Sequence, residues 1–140
     1  MVERISAKDA KRRMDEEGWV YVDVRSVPEF EQGHPNGAYN VPLLHMGEGG
    51  MQPNPSFLDV VSRTFAKDDK IVIGCRSGVR SLRAAELLEG AGYTHVAEQR
   101  GGYGGARGSF GQVSEPGWQA EGLPTSKEAA TGRTWAELSA

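Results

Sequence analysis

Apolar positions in this chain fall into short blocks whose spacing alternates between two periods. The blocks WVYVDV (residues 19–24), KIVIGC (70–75) and THVAEQ (94–99) are rich in β-branched residues and too short for helices, so they predict strands. KIVIGC is apolar on both faces, as a central strand of a parallel sheet must be. GAYNVP predicts a fourth, short strand closed by Pro42. Between these blocks the period lengthens. Ser6 with Asp9 fits a capping box, and AKDAKRRMDEE then reads as a helix stopped by Gly18. Ser26 and Glu29 flank Pro28 and predict a short helix with Phe30 facing inward. Asn54 and Pro55 open a helix whose stripe is Phe57, Val61 and Phe65. After KIVIGC, a helix is expected from about Ser81, with Ala84, Leu87, Leu88 and Ala91 on its inner face and Gly90 or Gly92 at its end. LLHMGEGGMQPNP has the Gly and Pro content of a loop. Short helices are assigned near Lys127–Ala130 and Thr134–Leu138.

Strands alternating with helices predict an α/β domain, a central parallel sheet with helices on both faces. At 140 residues the chain suits a single domain with a real core. A net charge of -3 argues against nucleic acid as the main partner. No apolar run approaches membrane-spanning length, and the first residues carry no apolar signal core, so no membrane partner and a cytoplasmic location are expected. One cysteine forms no internal disulfide.

That cysteine, Cys75, sits in GCRSGVRSLR, between the central strand and the following helix. In open parallel sheets, functional groups gather at the carboxyl edge of the strands. The loop Cys75–Arg80 can turn its backbone N–H groups inward as an anion-holding nest. Arg76, Arg80 and Arg83 add positive charge, and such surroundings favour a nucleophilic thiolate. A buried cysteine at a strand end is equally at home as a small apolar filler, and the spacing alone does not choose between the two. His34, His45 and His95 show no ligand spacing, with or without Cys75, so no metal site is expected. The glycines form no usable G-x-G-x-x-G after a strand, so no dinucleotide or other cofactor is expected.

The residues resemble the rhodanese-like sulfurtransferases. DVRSVPEFEQGHPNGAYNVP (Asp23 to Pro42) is similar to the family's first signature and CRSGVRS to its active-site loop. GGY at 101–103, Trp118 and GLP at 122–124 are similar to its closing segment. The resemblance runs from about residue 3 to 125, giving a domain over 1–125 and an extension over 126–140, helical or disordered. It implies a sulfurtransferase in which Cys75 accepts a sulfane sulfur from a donor such as thiosulfate and passes it to a thiol or cyanide acceptor. The amides of Arg76, Ser77, Gly78, Val79 and Arg80 would cradle the persulfide, with Arg76 and Arg80 attracting an anionic donor. Asp23 and Arg25, with His34 and Asn40, would chiefly shape the loops beside the site, Asp23, Arg25 and Arg83 being supporting candidates.

The implied partners are the small-molecule donor and acceptor, with a sulfur-accepting protein as a further one, for a monomer or homodimer. A sulfur carrier serving such a protein is the second reading. Related cysteine-dependent phosphatases place arginine six positions after cysteine; here that position is Ser81, and Gly74 precedes the cysteine. The tighter loop favours sulfur over phosphatase or arsenate-type chemistry. The chain departs from the family in the fourteen residues between Tyr103 and Trp118, a Gly-rich insertion over 104–117. It is expected to form either a flap over the site, with Arg107 and Phe110 facing substrate, or a solvated excursion. His45 and Met46 are further candidates to line the pocket.

Overall fold

The computed structural model describes residues 2–140. The chain runs β1 (Glu3–Ile5), α1 (Ala7–Glu16), β2 (Val20–Asp23), α2 (Val27–Glu31), β3 (His34–Pro35), β4 (Tyr39–Asn40), β5 (Leu44–Gly47), β6 (Gly50–Pro53) and α3 (Phe57–Thr64). It continues through β7 (Lys70–Gly74), α4 (Val79–Gly90), β8 (His95–Gln99), β9 (Ala106–Arg107), β10 (Val113–Glu115), β11 (Thr125–Ser126) and α5 (Trp135–Leu138). Five of the strands form one sheet in the order β1-β8-β7-β2-β4, with every neighbouring pair parallel. This is the α/β architecture that the alternation of periods predicts. β7, the KIVIG strand, lies at its centre.

Alternate residues of the strands feed two cores, one on each face of the sheet. Val22, Ile71, Ile73 and Val96 meet Val60 and Val61 of α3 and Ala84, Ala85 and Leu88 of α4. Ile5, Tyr21, Val72 and Ala97 meet Ala7 and Ala10 of α1, together with Phe30, Tyr103 and Trp118. Trp118 is fully buried, and its indole N–H donates to the Pro124 carbonyl at 2.7 Å. Among the described residues no helix is long and apolar enough to cross a membrane.

Local signals set most helix ends. Ser6 Oγ accepts from the Asp9 N–H at 3.1 Å to start α1. At α2, Glu29 accepts from both the N–H and the hydroxyl of Ser26. Glu29 also takes a bidentate pair from Arg80, at 2.7 and 3.0 Å, which docks α2 against the start of α4.

The structure departs from the expectations at five places. β1 is absent from them, because three residues with two exposed positions carry no periodic signal. The 43–55 segment is not all loop: β5 and β6 pair antiparallel across the Glu48–Gly49 turn. α4 starts at Val79 rather than Ser81 because Gly78, at φ 95°, turns the chain directly into the helix. Its buried stripe is accordingly Ser81, Ala84, Ala85 and Leu88, and Leu87 is exposed. Lys127–Ala130 is not helical. α5, by contrast, forms where assigned, with Thr134 accepting from the Glu137 N–H.

The tail is ordered against the body. β11 pairs with β3, the Arg133 carbonyl accepts from the Asn40 N–H at 2.9 Å, and Trp135 and Leu138 pack against the first core. An otherwise open edge at β4 is thereby covered.

Two outcomes are expected. Trp118→Ala removes a fully buried indole and should cost about 3–5 kcal/mol, read as a lower midpoint in urea denaturation. Burial works to raise the Glu29 carboxyl, but the hydrogen bonds from Arg80 and Ser26 outweigh it and lower it from 4.5 to about 2. The folded value is depressed, so the contribution is complete at neutral pH and fades as pH falls from about 4.5 toward about 2. Denaturation across that range should show a steeper loss of stability with acid in the wild type than in Glu29→Gln.

Candidate active site

Cys75 follows the last residue of β7, at the carboxyl edge of the central strand, and is only 2% exposed. The turn after it is compressed between two glycines. A Cβ on Gly78 would lie 2.3 Å from the Arg100 carbonyl oxygen, so the loop sits directly on the backbone that leaves β8. That backbone holds the loop in return. The Tyr103 N–H donates to the Cys75 carbonyl at 2.7 Å and the Gly104 N–H to the Arg76 carbonyl at 2.9 Å. With those carbonyls engaged from outside, the loop has its N–H groups to spare. The Gly78 N–H donates to Cys75 Sγ at 3.1 Å.

A second contact reaches the sulfur from α4. Sγ lies 3.3 Å from Ser81 Oγ, and the Ser81 hydroxyl donates to Glu98 Oε2 on β8. Both Ser81 and Glu98 are fully buried. The sequence reading leaves Glu98 out, and it counts Ser81 only as the residue that replaces a phosphatase arginine. The available signal was a carboxylate in the middle of a strand that otherwise reads as buried, a placement that costs heavily unless paired.

Beside the loop opens a cleft of about 750 Å³, walled by Arg25, Arg76, Ser77, Tyr103 and Arg107, with Glu29 and Gly33 at its margin. Arg76 is exposed, and Arg107 stands across from it on β9. Neither guanidinium forms an ion pair among the described residues. The cleft is therefore an electropositive mouth beside a buried sulfur, suited to a small anion.

The expected site residues divide between this mouth and its frame. Cys75, Arg76, Ser77 and Gly78 form the turn that leads into α4, and Val79, the first residue of that helix, has its side chain 76% exposed. Arg80 does not serve as a free cation, because both of its terminal guanidinium nitrogens donate to Glu29. Arg83 is exposed on the outer side of α4, along an apolar groove with Leu43, Phe57 and Leu87, and lines no part of the mouth.

Asp23 and Arg25 are buried against each other, with Arg25 Nη2 donating to Asp23 Oδ2 at 2.7 Å and to the Gly33 carbonyl at 2.6 Å. Arg25 also stacks on Tyr103 at 4.4 Å and so shapes the wall of the cleft. Asn40 Nδ2 donates to the carbonyls of Asp23 and Arg25, and His34 stacks on Phe30 at 3.7 Å, both framing contacts.

The insertion forms the β9–β10 hairpin and closes on itself. Its base is fixed where Trp118 N–H donates to the Gly102 carbonyl at 2.8 Å. Arg107 faces the cleft as expected of a flap, but Phe110 is 95% exposed at the turn and lies outside the lining. His45 and Met46 also lie outside it; they sit on β5, where His45 packs 5.4 Å from Trp135. Among the described residues no group of three or more His, Cys, Asp or Glu is placed to hold a metal ion.

Comparison with known proteins places this arrangement. The chain is 44% identical over 108 residues to thiosulfate sulfurtransferase 16, chloroplastic, of Arabidopsis thaliana, a match covering 77% of this chain and 80% of that one. It is 48% identical over 92 residues to senescence-associated protein DIN1 of Raphanus sativus, covering 66% of this chain and half of that protein. The crystal structure of Rv0390 from M. tuberculosis superposes with a TM-score of 0.74 at 27% identity, over 91% of this chain and 98% of that one. A model of the rhodanese-like domain matches residues 6–107, and with that match and these relatives the chain belongs to the rhodanese-like domain family.

Proposed function

We propose that the protein is a sulfurtransferase that carries a sulfane sulfur on Cys75, with thiosulfate or a similar anion as donor. The observation that carries this reading is the Cys75 sulfur, held by a loop N–H, beside a cleft with two cations unmatched by carboxylates. Membership of a family with relatives named thiosulfate sulfurtransferase supports it.

In the first half-reaction, Cys75 attacks the outer sulfur of the donor. The donor's S–S bond breaks, sulfite leaves with the bonding electron pair, and Cys75 keeps a persulfide whose terminal sulfur is anionic. The inward N–H groups of the loop stabilise that charge as a preorganised cradle, at no cost of reorganisation when it forms. Arg76 and Arg107 draw the anionic donor in and hold its departing oxygens. In the second half-reaction, a thiolate or cyanide attacks the terminal sulfur, and Cys75 leaves with its electron pair.

A specific observation also favours a protein as acceptor. Phe110 and Val113, at 95% and 52% exposure, put apolar surface on the hairpin that carries Arg107 to the cleft. In that second reading the persulfide passes to a partner docked on the hairpin, and turnover with free acceptors is slow.

Mass spectrometry after thiosulfate treatment should show a gain of one sulfur atom, removed by cyanide and absent in Cys75→Ser. A protein that never loads sulfur would sink both readings. Steady-state turnover with thiosulfate and cyanide then separates free enzyme from carrier. Arg107→Ala should raise the KM for thiosulfate roughly tenfold or more, the scale of one charge-assisted contact of about 1.5–3 kcal/mol, with little change in kcat.

A further inference from the structure

Glu98 is a fully buried carboxylate to which the sulfur chemistry above gives no task. It lies on β8, opposite Ile73 of β7 on one side and Arg4 of β1 on the other. Its Oε1 accepts from Arg4 Nε at 2.6 Å, and its Oε2 accepts from the Ser81 hydroxyl. Ser81 Oγ is in turn 3.3 Å from Cys75 Sγ. A hydroxyl with a single proton therefore stands between a carboxylate and the thiol.

That single proton decides what the chain of contacts can hold. While Ser81 donates to an ionised Glu98, it offers Cys75 only a lone pair, which suits an S–H donor. A thiolate needs Ser81 to donate to it instead. Ser81 must then accept on its other side, and of the two groups bonded to its hydroxyl only a protonated Glu98 can donate there. The chain thus has two states of equal charge, thiol with carboxylate and thiolate with carboxylic acid.

We infer that Glu98, acting through Ser81, takes up the proton that Cys75 releases when it becomes a nucleophile. The step breaks the Cys75 S–H bond and forms an O–H bond on Ser81, while the Ser81 proton passes to Glu98 Oε2. One negative charge moves from Glu98 to the sulfur, and no other reactant is needed. When an acceptor removes the terminal sulfur of the persulfide, Cys75 leaves as thiolate and the proton returns by the same path. Glu98 touches no reacting atom, so it is a positioning residue and proton store.

The other groups around the sulfur do not compete for this role. Tyr21 on β2 is held protonated, because burial first, then neighbouring acidic groups with Asp23 foremost, push its hydroxyl well above 10; it donates to Gln99 Oε1. Arg80, at the start of α4, and Arg4 are cations that accept no proton. Arg80 is engaged by Glu29, and Asp23 by Arg25.

The inference rests on Cys75 being the nucleophile, but its test uses no sulfur donor. The probe is iodoacetamide, with the alkylation rate of the wild-type protein followed from about pH 5 to about pH 10. Two coupled groups sharing one proton give a rate that is flat between two titration steps, because the thiolate fraction there does not depend on pH. Glu98→Gln and Ser81→Ala should each reduce the profile to one step, falling about tenfold per pH unit below its midpoint. Ser81→Thr, which keeps the hydroxyl, should restore the plateau. A fixed Glu98 carboxylate predicts instead a single step in the wild type, moved to lower pH in Glu98→Gln as a like charge is removed.

A single-step wild-type profile, or a plateau that survives Glu98→Gln, overturns the inference. Should the variants not fold, infrared spectroscopy of the wild type decides. A carboxylic-acid carbonyl band is expected in the plateau window and should vanish once Cys75 is alkylated, and its absence overturns the inference. A single-step profile in a protein that still loads sulfur would remove the proton store and leave sulfur transfer standing.

Discussion

The contact on which the rest of the site depends is between two stretches of backbone. Residues 100–104, leaving β8, lie against the Cys75 loop so closely that neither tolerates a Cβ at the crossing. A side chain on Gly102 would meet the carbonyl groups of Cys75 and Arg76 at 2.6 Å, and one on Gly78 would meet Arg100 at 2.3 Å. Both glycines also hold positive φ, at 63° and 95°, which other residues rarely adopt. The crossing determines the polarity of the loop. Because Tyr103 and Gly104 take its carbonyls, its N–H groups are left for the sulfur and for whatever charge forms there. The Gly78 N–H that reaches the sulfur belongs to a loop whose acceptors are satisfied elsewhere.

The same crossing explains how the chain accommodates its insertion. Trp118 is fully buried and hydrogen-bonds to Gly102, and the fourteen residues before it leave from Gly104 and return at Gly117. The two ends are in backbone contact: a Cβ on Gly117 would meet Gly105 N at 2.4 Å. Extra chain between such closely held ends costs little loop entropy, and the core does not register it. The hairpin is free to bring Arg107 to the cleft while Trp118 keeps its place.

The parts of this architecture that rest on local physics were legible in the sequence. KIVIG reads as a central strand because its residues suit two buried faces, and the caps at Ser6 and Ser26 act within one turn. The stripe of α4 was read three positions too far along, as Ala84, Leu87, Leu88 and Ala91, because Leu87 looks apolar, whereas the inner face begins at the polar Ser81. Arg80 reads as a free cation until the fold brings Glu29 to it from 51 residues away. Cys75 was legible as a candidate nucleophile only with the family resemblance beside its loop, and its setting was not legible at all. Ser81, Glu98 and Arg4 meet only when β1, β7, β8 and α4 are assembled, and no spacing along the chain encodes that meeting.

The pairing of β1 with β8 has a consequence for how the molecule is made. Arg4 and Glu98 are 94 positions apart, so the edge that completes the buried network closes only when nearly the whole domain has condensed. Until then Ser81 has no carboxylate to bind, the loop has no backbone to lie on, and Cys75 is a cysteine like any other. The surroundings of this sulfur are thus a property of the finished sheet and of no shorter stretch of chain. An incompletely folded chain carries Cys75 without the hydroxyl, carboxylate and backbone that surround it in the finished sheet.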